Sequence, residues 1–315
     1  MMTHPLKKVV FVFPGHGSQF VGMGGDVYES FPEASAVFDE ADATLGFSIS
    51  KLCFEGPAEK LYLPANVQPA LLTLSMALLS VMRTSPNYAC PSYVAGHSLG
   101  EYTALAASGA LGTQDAIMLA RRRGQLMSQA GIRKPGIAAV IIGLTDEIVT
   151  AIASEAGVYV ANFNYSGQVV ISGETDRVEN AISLAAAHGA IKAIPLAGSV
   201  AFHSPLMQSA ADELVQVITK VRFDEPEFPV IGNYSASPLT SSEALRDELP
   251  KQLCHPVQWS KSMSYLLSQG ADLFVEIGPG NVLSNIIRRI DERAQCINIG
   301  NAGTLKEYMH NGFNL

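Results

Sequence analysis

The sequence predicts an α/β protein that combines a mostly parallel sheet with a small inserted subdomain of ferredoxin-like type. Three observations lead to this prediction. Residues 9–13 form an uninterrupted apolar run, which is typical of a parallel strand buried on both faces. A Gly-x-Ser-x-Gly motif at 96–100 stands between a short apolar run and a helical pattern. Residues 137–196 follow the order β-α-β-β-α-β, the split βαβ pattern.

Strands and helices alternate at the start of the chain, as in a parallel α/β sheet. The first strand ends in a loop rich in backbone amides, with the sequence Pro14-Gly15-His16-Gly17-Ser18-Gln19. Thr113 is placed to cap a helix, and Gly131 is placed to follow its last residue. Helical patterns cover residues 31–45, 69–82, 101–110 and 113–130.

Residues 132–197 form the predicted small subdomain, whereas 1–131 and 198–315 together form the large domain. Thr145 is the predicted N-cap of the first helix in the subdomain. A cleft between two such bodies is a usual place for a substrate site. In the subdomain, strands are predicted at 137–142, 158–163, 168–172 and 190–196, and helices at 145–156 and 175–188.

The chain then returns to the large domain. Pro205 suits the first turn of a helix that continues to residue 219. The remaining predicted elements are strands at 230–234 and 273–277 and helices at 259–269 and 282–293.

The composition indicates a compact globular protein with no general affinity for nucleic acid. Of the 315 residues, 48% are hydrophobic and 16% are charged, which excludes a disordered chain. Because the formal net charge is −8, an anionic partner requires a local basic patch. Arg133, Lys134 and Lys192, beside the predicted cleft, are the candidates for this patch. Exposed basic residues that only aid solubility are the alternative.

No segment resembles a targeting signal or a membrane span, which predicts a cytoplasmic protein with no membrane partner. The apolar run at 9–13 is too short for a signal-peptide core, and the longest apolar region, 69–82, is too short to span a bilayer. The four cysteines are far apart and contain no C-x-x-C pair, so reduced thiols are expected rather than a zinc site.

Gly96-His97-Ser98-Leu99-Gly100 is predicted to form a nucleophile elbow, with Ser98 at a sharp turn between a strand and a helix. The two glycines leave room for the turn. The backbone N–H of Leu99, at the start of the helix, can bind a developing oxyanion. The motif therefore predicts acyl chemistry through an ester on Ser98. An ordinary Gly-Ser turn is the alternative.

A serine needs a base to become nucleophilic at neutral pH. Of the seven histidines, His203 is the best candidate because it lies in a loop at the predicted domain junction. His97 is adjacent to the serine, but neighbouring side chains at a sharp turn point apart. No carboxylate between Ser98 and His203 follows a core strand, so the orienting acid of a triad is unassigned. Backbone carbonyls are the alternative partner for the base.

Arg121, Arg122 and Arg123 lie on one predicted helix, and two of the three are expected on its solvated face. An arginine that turned inward would be an unfavourable buried charge unless it met an anion. A substrate carboxylate would supply that anion in a bidentate pair.

Further short motifs extend the pattern from Phe13 to about residue 290. They are Phe13-Pro14-Gly15-His16-Gly17-Ser18-Gln19, Gln68-Pro69-Ala70-Leu71, Gly96-His97-Ser98-Leu99-Gly100-Glu101-Tyr102, Arg123-Gly124, Asn162-Phe163-Asn164, Gly167-Gln168-Val169-Val170-Ile171-Ser172-Gly173, Phe202-His203-Ser204, Gln252-Leu253, Pro256-Val257-Gln258-Trp259 and Glu276-Ile277-Gly278-Pro279-Gly280. This highly specific set resembles bacterial malonyl-CoA:acyl-carrier-protein transacylases and the related acyltransferase domains of polyketide synthases.

The resemblance implies an α/β-hydrolase-like core that moves a malonyl group from malonyl-CoA to the phosphopantetheine thiol of a holo acyl carrier protein, for fatty-acid or polyketide synthesis. It implies Ser98 as the nucleophile and His203 as the base. It also implies that the main-chain carbonyl of Gln252 orients the base and that Arg123 pairs with the malonyl carboxylate. No metal or redox cofactor is needed, and a monomer is expected.

The resemblance further implies an oxyanion hole formed by the backbone N–H groups of Leu99 and His16. Position 16 departs from the G-Q-G-S-Q pattern of the family, because a histidine replaces the glutamine. A backbone donor survives this change, but a side-chain role of the glutamine in excluding water does not. Phe202 resembles the pattern of malonyl-selective acyltransferases, in which bulk beside the base would crowd an α-methyl branch.

Two other functions stay open at this point. An acyl hydrolase of the same fold would remove acyl groups from carrier proteins, and His16 is compatible with it. Arg123 argues against the hydrolase, because a monoacyl chain offers no carboxylate. A non-catalytic carrier-binding module is disfavoured because both Ser98 and His203 are present.

Overall fold

The computed structural model describes residues 8–196 and 198–313. It contains two separate β-sheets with helices packed against them, which confirms the predicted α/β class. The outer ends of the predicted domain ranges, at residues 1–7, Ala197 and 314–315, lie outside the described residues. The strands are β1 (Val9–Phe13), β2 (Tyr93–Gly96), β3 (Gly136–Ile142), β4 (Tyr159–Tyr165), β5 (Gln168–Glu174), β6 (Lys192–Pro195), β7 (Val230–Ile231), β8 (Pro238–Leu239), β9 (Leu273–Ile277) and β10 (Gln295–Ile299).

Helices connect most of these strands, and a 3₁₀ turn at Pro205–Met207 precedes the tenth helix. The helices are α1 (Gly25–Ser30), α2 (Pro32–Leu45), α3 (Ile49–Glu55), α4 (Ala58–Leu61), α5 (Pro64–Thr84), α6 (Leu99–Ala107), α7 (Thr113–Arg133), α8 (Asp146–Ala156), α9 (Thr175–Ala187), α10 (Gln208–Ile218), α11 (Ser242–Cys254), α12 (Trp259–Ser268), α13 (Val282–Ile290) and α14 (Ala302–Asn311).

The larger sheet has the strand order β10-β9-β1-β2-β7-β8 and is parallel except where β8 pairs with β7. All five residues of β1 are buried. Phe11 and Phe13 enter the core shared with α2, α5 and α7, whereas Val10 and Val12 enter a second core with Trp259. Because both faces of β1 are covered, its sequence shows an apolar run and no alternation.

Helix α5 is the longest apolar helix of the core, and it begins five residues before the predicted start at Pro69. Proline has no N–H to donate to the carbonyl of Ala65, four residues earlier. Arg121 Nη1 donates to that carbonyl instead, at 2.7 Å, so the helix continues through Pro69.

The length of α5 corrects one prediction. At 21 residues, with a mean hydropathy of 1.4 over its most apolar window, it is long and apolar enough to cross a membrane. The prediction that no segment reaches that length is therefore wrong. Since 83% of that window is buried against the rest of the fold, α5 has the character of a core helix.

The smaller sheet is antiparallel, with the order β4-β5-β3-β6, and it packs against α8 and α9. Its strand order and its β-α-β-β-α-β sequence agree with the predicted ferredoxin-like subdomain. Thr145 caps α8 as predicted, since its hydroxyl accepts from the Ile148 N–H at 3.4 Å. Backbone hydrogen bonds at 2.8 and 2.9 Å tie Ala161 and Phe163 of β4 to Val257, beside the larger sheet.

Helix α7 differs from the prediction at both ends. Its N-cap is Gly112 rather than Thr113, and it continues through Gly131 to Arg133. A Cβ atom on Gly131 would lie 2.6 Å from Val200 Cγ1, so this glycine permits a close contact instead of ending the helix. The domain boundaries at 131/132 and 197/198 stay a prediction.

The C-terminal third departs most from the predicted elements. The strand predicted at 230–234 is reduced to two residues, and the helix predicted at 282–293 ends at Ile290. Strand β10 lies at the sheet edge with one of its five residues buried, so it lacks the continuous apolar run that identified β1. The other elements that the sequence did not reveal are α1, α3, α4, α11, α14 and β8.

Candidate active site

Ser98 occupies the sharp turn between β2 and α6, as the elbow motif predicts. Its backbone has φ 53° and ψ −105°, in a region that residues with a side chain rarely adopt. A Cβ atom on Gly96 would overlap the backbone of Gly100, and one on Gly100 would overlap the carbonyl oxygen of Phe13. Both glycines are therefore required by the close approach of β1, β2 and α6 around the serine.

Asn233 holds the elbow from the neighbouring strand. Its Oδ1 accepts from the Ser98 N–H at 2.6 Å, and its Nδ2 donates to the Gly96 carbonyl at 2.7 Å. The residue follows β7, which pairs with β2, and it is 1% exposed. Sequence reasoning missed Asn233. The signal for it was a polar residue two positions after an apolar run, because the carboxyl ends of parallel strands meet at one edge of a sheet.

His203 lies next to the serine, with its Nε2 2.7 Å from Ser98 Oγ. Its Nδ1 is 2.7 Å from the main-chain carbonyl oxygen of Gln252. Because a carbonyl can only accept, Nδ1 carries the proton and donates it, which leaves Nε2 free to accept from the serine hydroxyl. The arrangement is that of a serine–histidine pair oriented by a backbone carbonyl, with no acid in the usual third place.

The environment of His203 keeps its imidazole neutral. Burial, reinforced by the positive charge of Arg123, lowers the pKa of His203 to about 3, while the Gln252 carbonyl opposes that shift. A neutral imidazole is the form that can take a proton from a serine hydroxyl.

Arg123 is the arginine of α7 that turns inward, and it is 1% exposed. Its Nη2 donates to Ser98 Oγ at 3.1 Å and to Gln252 Oε1 at 3.0 Å, and its Nη1 donates to Gln68 Oε1 at 2.8 Å. The Tyr102 ring lies 5.4 Å from its guanidinium carbon. Within residues 8–196 and 198–313, no carboxylate forms an ion pair with this guanidinium.

The two neighbouring arginines behave differently. Arg122 forms a surface ion pair with Glu213 at 3.5 Å. Arg121 is half-buried, donates to Ala65 and Asn66, and stacks over the Phe47 ring at 4.8 Å. The helix therefore offers one arginine to the serine, and it is Arg123.

The loop after β1 and the start of α6 border the serine. Leu99 is the first residue of α6, where a backbone N–H has no partner within the helix. A Cβ atom on Gly15 would overlap the carbonyl oxygen of His97, so the loop that carries His16 lies against the elbow. The loop that carries His16, one predicted oxyanion donor, thus approaches the elbow that precedes Leu99, the other predicted donor.

Arg123 also acts on the imidazole of His16. His16 is exposed to solvent, yet the surrounding protein and, to a smaller extent, the charge of Arg123 lower the pKa of its imidazole. His16 therefore lies within electrostatic range of the buried guanidinium.

Phe202 and His97 are the neighbours in sequence of His203 and Ser98, and their rings pack differently. Phe202 packs edge-on against the His203 ring, with centroids 5.6 Å apart, and is half-buried. His97 turns away from Ser98, as predicted, because its Nε2 contacts Asn164 Oδ1 at 3.0 Å and its ring packs on Trp259 at 5.3 Å.

Comparison with known proteins agrees with the acyl chemistry that this geometry supports. The model of the acyl transferase domain family matches residues 10–311. The chain is 43% identical over 306 residues to a protein named malonyl CoA-acyl carrier protein transacylase from Bacillus subtilis, covering 96% of each chain. It is also 43% identical over 289 residues to the protein of the same name from Escherichia coli K12, covering 90% of this chain and 93% of the relative.

Solved structures give the same picture. One is a complex of a type II PKS acyl-carrier protein with its malonyl-transacylase; it superposes with a TM-score of 0.93 at 39% identity, covering 97% of this chain and all of that one. Another is an acyl carrier protein S-malonyltransferase from Vibrio cholerae, with a TM-score of 0.91 at 38% identity, covering 95% of this chain and 99% of that one.

We expect Arg123→Ala to raise the pKa of His203, because the substitution removes a positive charge that disfavours the imidazolium. An NMR titration of the imidazole should show that wild-type His203 is still neutral below pH 6.5, the ordinary pKa of histidine. It should become charged only near its own pKa of about 3. Arg122→Ala is the matched control, because Arg122 pairs with Glu213 at the surface. Wild-type titration near 6.5, or the same pKa in wild type and Arg123→Ala, would contradict this account.

Proposed function

This chain belongs to the acyl transferase domain family, and on that premise we propose that it transfers a malonyl group from malonyl-CoA to the phosphopantetheine thiol of a holo acyl carrier protein. The observation that carries the choice of acyl group is the buried guanidinium of Arg123, 3.1 Å from Ser98 Oγ. The curated relatives bear the matching name, and one neighbouring structure contains an acyl carrier protein.

A buried guanidinium favours a substrate that carries its own negative charge. Taking an ion out of water costs several kcal/mol unless an opposite charge compensates it. The groups that Arg123 touches, Gln68, Gln252 and Ser98, are neutral. The free carboxylate of a malonyl group on Ser98 would lie within reach of the guanidinium and would form a charge-assisted pair with it. An acetyl group has no such partner to offer.

In the first half-reaction, Ser98 takes the acyl group. His203 Nε2 accepts the proton of Ser98 Oγ while that oxygen bonds to the thioester carbonyl carbon. The backbone N–H groups of Leu99 and His16 donate to the resulting oxyanion. When the intermediate collapses, the carbon–sulfur bond breaks, His203 returns the proton to the CoA sulfur, and the malonyl ester remains on Ser98.

In the second half-reaction, the carrier protein takes the acyl group. Its phosphopantetheine thiol gives a proton to His203 and attacks the ester carbonyl, again with the oxyanion held by Leu99 and His16. The carbon–oxygen bond to Ser98 breaks, and Ser98 Oγ regains the proton from His203. The enzyme returns to its starting state, as a ping-pong mechanism requires.

Phe202 is proposed to select malonyl over methylmalonyl groups. Its ring packs against His203, so bulk at this point borders the space where an α-methyl branch would lie. Exclusion of one methyl group changes the difference in activation free energy between the two substrates by about 1–3 kcal/mol. The result is a preference for malonyl groups rather than an absolute barrier to methylmalonyl groups.

The proposal extends to the setting of the reaction. It describes a monomeric, cytoplasmic enzyme of fatty-acid or polyketide synthesis that needs no metal and binds no nucleic acid. The acidic carrier protein would dock near Arg133, Lys134 and Lys192, which are exposed. The charge of Arg133 is already partly neutralised, because Arg133 forms an ion pair with Glu213 at 2.9 Å.

The transferase predicts that the acyl group reaches the carrier protein rather than water. Purified protein mixed with malonyl-CoA and holo carrier protein should yield malonyl-carrier protein, with free malonate as a minor product, in a time course followed by intact-protein mass spectrometry and malonate analysis. The Ser98→Ala variant measures the background rates of carrier loading and malonate release without the nucleophile. Rapid release of malonate with little loaded carrier would instead identify the acyl hydrolase that His16 leaves open.

We expect Arg123→Ala to lower kcat/KM for malonyl-CoA roughly 100-fold, because the substrate carboxylate loses a buried charged partner. Loading from acetyl-CoA should not fall in parallel, because acetyl makes no such pair. Arg122→Ala, whose side chain pairs with Glu213 on the surface, should retain wild-type loading of both groups. Equal losses for malonyl and acetyl groups in Arg123→Ala would refute the assigned role.

A further inference from the structure

Glu101 is a buried carboxylate that the proposed reaction does not use. It lies in the first turn of α6, three residues after Ser98, and is 1% exposed. Its two oxygens accept from different donors: Oε2 from Gln252 Nε2 at 2.7 Å, and Oε1 from the Asn233 N–H at 3.3 Å. The carboxylate thus joins the residue that holds the elbow to the residue that orients the base.

Three hydrogen bonds orient the side chain of Gln252, and one of them ends on Glu101. Gln252 Oε1 accepts from Arg123 Nη2 at 3.0 Å, while its Nε2 donates to the Ser98 carbonyl at 2.7 Å as well as to Glu101. A rotated amide would place its NH₂ group against the guanidinium and its oxygen against two acceptors. Because both Glu101 oxygens and the Ser98 carbonyl oxygen accept from N–H donors, Glu101 and Ser98 together favour the one orientation in which the Gln252 oxygen faces Arg123.

We propose that Glu101 is a positioning residue for malonyl transfer, whose carboxylate fixes the Gln252 amide and thereby keeps the Arg123 guanidinium directed at the acyl carboxylate. The proposal rests on the proposed function and identifies the group that maintains its selectivity for a charged acyl chain. Glu101 acts through Gln252, so it touches neither the acyl group nor Ser98 Oγ in this role.

The charges and hydrogen bonds around Glu101 shift its pKa in opposite directions. Burial raises the pKa of Glu101 well above its ordinary value, and the nearby Glu248 raises it further. The hydrogen bonds from Gln252 and Asn233 and the charge of Arg123 oppose that rise. Through the intervening amide, the carboxylate partly balances the guanidinium without occupying the position beside Ser98 where a substrate carboxylate would pair.

Glu248 provides a matched control in the same buried cluster. It is 4% exposed, and its hydrogen bonds from the N–H groups of Tyr234 and Ser235, at 2.6 and 3.0 Å, both end on Oε1. An amide oxygen can accept both, so Glu248→Gln removes a charge and keeps the bonds. Glu101→Gln removes the same charge but leaves one acceptor for two donors on opposite oxygens, which disturbs Gln252.

The test compares malonyl and acetyl loading of Ser98 in single-turnover reactions with malonyl-CoA and acetyl-CoA. We expect Glu101→Gln to lower the malonyl-to-acetyl rate ratio roughly 10- to 100-fold, the range for loss of a hydrogen bond to a charged group. Glu248→Gln should keep the wild-type ratio. Glu101→Asp, which keeps two acceptor oxygens, should recover part of the loss. The ratio within one sample does not depend on the folded fraction.

The outcomes separate this inference from the function on which it rests. A wild-type ratio in Glu101→Gln overturns the positioning role, and so does an equal loss in Glu101→Gln and Glu248→Gln, because charge alone would then explain it. If the wild-type protein itself fails to load malonyl groups on Ser98, the proposed function is wrong. If it loads them and only the Glu101→Gln result differs from expectation, the function stands and the positioning role falls.

Discussion

The buried guanidinium of Arg123 is the constraint around which the site is organised. A charge at 1% exposure must be held by hydrogen bonds, and Gln68, Ser98 and Gln252 supply them from α5, the elbow and α11. Because all three partners are neutral, the charge is fixed in position while it remains available to an anion. The same charge lowers the pKa of His203, so the side chain that we propose to select the acyl group also helps to keep the base neutral.

The rest of the fold serves to bring these groups to one point. The larger sheet places β1, β2 and β7 side by side, so that the loop of His16, the elbow of Ser98 and the side chain of Asn233 meet at the carboxyl ends of the strands. Glycines at 96 and 100 allow the backbones to approach as closely as this requires. A serine held at φ 53° is stable only when its surroundings fix it from several sides. Asn233 does so at the Ser98 N–H and the Gly96 carbonyl, and Gln252 does so at the Ser98 carbonyl.

The sequence predicted best those features that depend on neighbouring residues. The elbow could be predicted because its turn follows from five consecutive residues, and β1 because both of its faces are buried. The choice of Arg123 among three arginines needed the resemblance to a family, since helical periodicity alone does not show which face is covered. The contacts of Asn233 and Glu101 could not be predicted, because they depend on strand pairing and packing between residues more than 130 positions apart. Similarly, the role of Gly131 depends on Val200.

A competition experiment tests the central claim most directly. Wild-type protein given equal concentrations of malonyl-CoA and acetyl-CoA for one turnover, then digested and analysed by peptide mass spectrometry, reports which acyl group each residue carries. A malonyl ester on Ser98, in roughly 100-fold excess over the acetyl ester, is the result expected if Arg123 pairs with the acyl carboxylate. Comparable amounts of the two esters, or a malonyl group on a residue other than Ser98, would contradict it.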